Sequence, residues 1–203
     1  MSFSLPMPSV IKPLVEQITS RVRTATNHIS AILGYPILTR EDEQNFKELL
    51  ERKIRTLYLF VVGASKEDPE KIQAICQELT NLVWMKDVVP DDRVRWYTWS
   101  VSDPLGLIIR TAEIRIKLLK GEPITATELA VISNTSSGNI SHHIRSKNIK
   151  AYRPKEDGRE WMVPADEALR FLKRTRSEFL VSMEQVDQLV NTQDKKEEIL
   201  SHI

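Results

Sequence analysis

The sequence predicts a mainly α chain: an N-terminal helical bundle, then a small helix–turn–helix–hairpin domain, then a helical tail. Three observations carry that reading. Apolar residues recur at spacings of three and four over most of the 203 residues, which marks one buried face of a helix. Glycine is scarce, at six, and Gly34, Gly63 and Gly121 each follow an apolar stripe, where a helix ends most easily. Side chains able to cap a helix start stand just ahead of several stripes. The expected divisions are 1–120 for the helical domain, 121–180 for the small domain and 181–203 for an acidic tail, helical or partly disordered.

The first helix is expected over about 9–33, with Leu14, Ile18, Val22, Ala25, Ile29 and Leu33 on one stripe, stopped by Gly34 and Pro36. The second starts at Thr39, with Asp42 in the capping-box position. Phe46, Leu49, Leu50, Ile54, Leu57, Tyr58 and Val61 form its apolar face. The third opens on Asp68-Pro69, a cap followed by proline at the first helical position, and turns Ile72, Ile75, Cys76, Leu79, Leu82 and Val83 one way. The fourth opens at Ser102 or Asp103, before Pro104, and ends at Lys120-Gly121, with Leu105, Ile108, Ile109, Ala112, Ile116 and Leu119 on its core side. Four helices of this length can form one bundle. Between the third and fourth, Trp84, Trp96, Tyr97 and Trp99 cluster with Arg93 and Arg95. These aromatics either pin the connection onto the bundle or a partner subunit, or stack on single-stranded bases.

Composition narrows the function classes. Cys76 is the only cysteine, so an intrachain disulfide and a multi-thiolate zinc site are excluded. No apolar run approaches the roughly 18 residues of a membrane span, and the N-terminus lacks the pattern of a secretory leader. The expectation is a soluble intracellular protein. The net charge is only +1, but residues 136–176 carry 10 Lys/Arg against 5 Asp/Glu, while 181–203 carry 2 against 5. A basic block thus precedes an acidic tail. Phosphate-loop, dinucleotide-fold, zinc-protease and paired-cysteine motifs are absent from the sequence, so no enzyme activity, no cofactor and no metal are expected.

The segment 121–176 carries the functional signal. Thr125 and Glu128 make a capping box for a short helix in which Leu129, Ala130 and Ile132 are apolar. Asn134 suits the left-handed backbone of a tight turn. Ser136 caps a second helix, whose Ile140 and Ile144 face inward. Ile149 to Arg153 alternates as a strand, Lys155 to Arg159 holds a turn with Asp157-Gly158, and Glu160 to Val163 returns. Pro164 then begins a helix with Ala168, Leu169 and Leu172 on its core side.

Helix, turn, helix, two-stranded wing, helix resembles the excisionase and MerR-like group of winged helix-turn-helix DNA-binding domains, over residues 122–174. The residues that carry the resemblance are Glu128-Leu129-Ala130, Ser136, Ile140-Ser141 and Ile144, then Ala151-Tyr152-Arg153, Trp161-Met162-Val163-Pro164 and Glu167-Ala168-Leu169. The segment departs from the group at Asn134, where glycine is usual, at Thr135, where an apolar residue is usual, and in a longer, acidic wing turn with Glu156 and Asp157.

The resemblance implies a sequence-specific DNA-binding protein, a transcriptional regulator or mobile-element accessory factor, cytoplasmic and nucleoid-associated. Its recognition helix, 136–147, would enter the major groove and its wing, 149–163, would lie on the backbone. Ser136, Ser137 and Asn139 then stand at the start of the recognition helix, with Ser137 and Asn139 reaching base edges. His142 and His143 supply donors to phosphates or bases. Arg145, Lys147, Lys150, Arg153, Lys155 and Arg159 supply phosphate contacts. Tyr152 and Trp161 are expected in the core. Paired half-sites favour a homodimer, held mainly by the N-terminal domain and assisted by a tail stripe of Phe179, Met183, Val186 and Val190; the N-terminal helical domain also offers a surface to another protein, and no membrane partner is expected. Two alternatives remain at this level: an assembly factor using the winged module as a protein adaptor, and a nucleic-acid-processing enzyme with an unrecognised N-terminal catalytic domain.

Overall fold

The structure, a computed structural model, is described for residues 8–65, 67–83, 104–154, 160–175 and 179. The Trp84–Trp99 cluster, the cap at Ser102 or Asp103, the wing turn with Lys155 and Arg159, and the tail beyond Phe179 lie outside these residues. Seven α-helices are present among the described residues: α1 (Ile11–Leu33), α2 (Arg40–Val61), α3 (Pro69–Val83), α4 (Pro104–Leu119), α5 (Ala126–Ile132), α6 (Ser137–Arg145) and α7 (Ala165–Arg174). The only strands described are β1 (Ile124–Thr125) and β2 (Met162–Val163). The chain is mainly α, as its periodicity predicts. No described helix is long and apolar enough to cross a membrane.

The chain divides into two compact units. One holds Leu5–Leu59 and Glu70–Arg110, and the other holds Phe60–Pro69 and Thr111 onward. The division therefore runs through α2 and α4, and the unit with the helix–turn–helix also takes in the last turns of α4.

In the first unit, burial selects part of each predicted stripe. Ile11, Leu14, Val15 and Ile18 of α1 are buried, whereas Val22, Ala25 and Ile29 are half-buried and Leu33 is 48% exposed. Thr19 is buried as well, and it avoids an unmet donor by giving its hydroxyl hydrogen to the Val15 carbonyl at 2.8 Å. On α2, Leu50, Ile54 and Leu57 are buried at helical spacing, but Leu49 is exposed and Phe46 and Tyr58 are half-buried. Ile72, Ile75, Cys76 and Leu79 of α3 complete this core, and Leu105 to Ile109 of α4 are all buried. Ion pairs link α1 to α2 through Arg23–Glu43 and Lys47–Glu16, and α2 to α3 through Lys53–Glu78. At the start of α2 the predicted box forms. The Thr39 hydroxyl accepts from the Asp42 N–H at 3.1 Å, and the Asp42 carboxylate accepts from the Thr39 N–H at 2.9 Å. These bonds hold the Asp42 carboxyl below the usual carboxylate range, the Thr39 hydroxyl contributing most.

In the second unit, α4 continues with Ala112, Ile114, Ile116 and Leu118 buried. Arg115 is buried beside them. It donates to the Val61 carbonyl at 3.3 Å, and its guanidinium lies 5.5 Å from the Phe60 ring centroid and 5.9 Å from that of Phe179. Burial lowers its pKa, from so high a starting value that the charge is kept. Gly121, at φ 71°, ends the helix: its N–H bonds the Leu118 carbonyl and that of Glu122 bonds Lys117, a Schellman pair.

The small sheet corrects the sequence reading in two places. β2 pairs antiparallel with β1, Ile124 opposite Val163 and Thr125 opposite Met162. From residue type and spacing alone, residue 125 has only a capping role. The expected strand Ile149–Arg153 reduces to one bridge, Tyr152 to Met162, with both backbone hydrogen bonds at 2.8–2.9 Å. Met162 is therefore flanked on both sides. The alternation at 149–153 is real, but a single residue of it reaches the ladder, because Ile149 is drawn back under α6 by the Ile149 N–H to His143 carbonyl bond.

Candidate nucleic-acid interface

Local chemistry positions α5 and α6. Thr125 caps α5: its hydroxyl accepts from the Glu128 N–H at 3.0 Å, and Glu128 accepts from the Thr125 N–H at 2.8 Å. The other oxygen of Glu128 takes the Lys117 ammonium at 2.6 Å, which ties the capping box to α4. Small Ala130, 4% exposed, and Leu129, fully buried, let α5 and α6 pack closely.

The turn between them is a Schellman motif built on asparagine. Asn134 takes φ 54°, its N–H bonds the Val131 carbonyl, and the Thr135 N–H bonds the Ala130 carbonyl. Asparagine tolerates this region better than most L-residues, so the departure from glycine leaves the turn intact. Thr135 is half-buried, and its hydroxyl accepts from the Asn139 amide at 2.8 Å. The polar residue at that turn position thus orients a candidate contact residue. That bond uses one amide hydrogen of Asn139; the second and the carbonyl oxygen make a donor–acceptor pair, chemistry able to match an adenine edge. Ser136 caps α6, its hydroxyl accepting from the Asn139 N–H at 3.1 Å.

Ile140 and Ile144 are buried and point α6 at α5. With about 100° of rotation per residue, the opposite direction is centred on His142, flanked by Gly138, Asn139 and Arg145. All four are exposed. Ser136 and Ser137 are exposed too, but Ser137 lies angularly closer to the buried side and reaches solvent because it begins the helix. His143 departs from its expected role. It is half-buried, its ring meets Phe171 of α7 edge-on at 5.4 Å, and its buried Nδ1 has no hydrogen-bond partner. Adjacent histidines diverge, and α7 covers the side on which His143 falls.

A second Schellman motif ends α6. The Lys147 N–H bonds the Ile144 carbonyl and the Asn148 N–H bonds the His143 carbonyl, with Lys147 at φ 58°. A lysine here carries a left-handed cost of about 1–2 kcal/mol that glycine would avoid. The sequence held no signal for that strain.

From Leu129 to Lys155 the chain contains no acidic residue. Arg145, Lys147, Lys150 and Arg153 are exposed, and among the described residues they form no ion pair. Arg153 stacks on Trp161, its guanidinium 4.5 Å from the ring centroid. Trp161 is half-buried as the shelf for that stack, and Tyr152 is 46% exposed. The expectation that Tyr152 belongs to the core is thereby corrected: its backbone bridges Met162, and the single bridge leaves the side chain uncovered. Comparison of the chain with protein-family models, curated proteins and solved structures gives no match.

Proposed function

We propose that this protein is a sequence-specific double-stranded DNA-binding protein, a regulator or mobile-element accessory factor rather than an enzyme, acting in the cytoplasm as a homodimer. The carrying observation is the exposed surface of α6 and the turn after it, drawn from a stretch with no acidic residue, whose Arg145, Lys147, Lys150 and Arg153 side chains form no ion pair among the described residues, the Glu167 carboxylate accepting there only from the Lys150 backbone N–H at 3.4 Å. Unpaired cations on a rigid helix–turn–helix suit phosphates, and neutralising them releases counterions. Asn139 and His142 suit base edges, while Arg145, Lys147, Lys150 and Arg153 suit the backbone. The geometry of two capped helices joined by a tight turn supports α6 as the element that enters the major groove.

Selection of bound duplexes from a random pool tests this reading. The expected outcome is an enriched motif, bound with an affinity that falls steeply with salt. Lys150→Ala should weaken specific and bulk DNA equally and reduce the salt slope by about 1. Absence of enrichment together with salt-independent binding overturns it in favour of a protein adaptor.

A further inference from the structure

Gly138 stands on the outward face of α6, one turn before His142 and beside Asn139. Glycine is the poorest helix former after proline, and Gly138 lies in the first turn of α6, two residues past the Ser136 cap. The two usual intramolecular reasons are missing. Gly138 is not among the residues with positive φ. A Cβ built on it would meet only the Ser136 hydroxyl oxygen at 3.8 Å, an ordinary contact. It is exposed, and its neighbours on this face are a capped asparagine, a histidine and an arginine. A bare, exposed Cα beside these side chains leaves room for another molecule to approach the backbone closely.

We infer that Gly138 is the point at which the α6 backbone comes closest to DNA, its missing side chain letting the helix seat deeper than any other residue would allow. This rests on the DNA-binding reading and adds a depth determinant to it: Gly138 sets how far Asn139 and His142 reach toward the base edges.

The full chain carrying Gly138→Ala or Gly138→Leu is compared with the parent for Tm and for affinity to a duplex that the parent selects. Both variants are expected at or above the parent Tm, because each is the better helix former. Affinity is expected about tenfold weaker with alanine, and weaker again with leucine. Equal affinity across the three overturns the inference and leaves the DNA reading standing. A lowered Tm for Gly138→Ala also overturns it, since it would reveal an intramolecular demand for glycine. A parent that binds no duplex overturns the DNA reading itself.

Discussion

The two units place their ion pairs differently. In the first, Arg23, Lys47, Lys53 and Arg55 each meet a glutamate, and three of those four pairs join different helices. In the second, Lys117 meets Glu128, which holds a capping box to α4, and Arg170 meets Asp166 and Glu167 within α7. The cations around α6 stay open. Exposed ion pairs add little stability, commonly 0–1 kcal/mol, so the first unit gains mainly charge balance on its surface. Around α6 that balance is absent among the described residues, and the field of the cations points outward. A second contrast, cutting across that division, runs through the helix ends. Glycine takes the left-handed position at Gly34, Gly63 and Gly121, but Asn134 and Lys147 take it on either side of α6. The region proposed to bind DNA therefore accepts backbone strain where the others relieve it.

That contrast can be broken or sharpened by substitution. The largest effect is expected from Ile140→Ala. Ile140 of α6 is fully buried, and its truncation should cost about 2–5 kcal/mol. Hydrogen exchange should show the loss in residues 111–175, with α1 to α3 retaining their protection; uniform loss would mean the two units unfold as one. Next come Asn139→Ala and His142→Ala, which should leave Tm unchanged and weaken binding to a selected duplex by roughly 1–3 kcal/mol each. If bulk DNA loses as much, these side chains read no bases. Lys147→Gly should raise stability by about 1 kcal/mol by relieving the left-handed lysine, yet weaken DNA binding by removing a cation. A rise in both would assign Lys147 no contact. The smallest effect belongs to Lys53→Ala, which breaks an exposed pair with Glu78. It should shift stability by less than about 1 kcal/mol and leave DNA affinity unaltered.

Local chemistry made much of the second unit legible from sequence. Thr125, Glu128, Asn134 and Ser136 act within four residues of themselves, so their capping and turn roles follow from residue type and spacing. The same holds for Thr39 with Asp42 and for the inward pair Ile140 and Ile144. What the sequence left open depended on partners distant along the chain. Residue 125 joins the sheet only because Met162 arrives beside it.

His143 turns inward because Phe171, 28 positions away, packs over it, and Tyr152 stays exposed because nothing described covers that edge. Periodicity names the apolar face of a helix but not how far along it burial extends. Leu14 and Leu33 share a stripe, yet one is 5% exposed and the other 48%. The sequence by itself determined the helical class, the caps and the turn beside α6, because those energies are local. Tertiary structure alone decided which half of each stripe is buried, which strand is real and which cations are left unpaired, because each depends on what another part of the chain brings within reach.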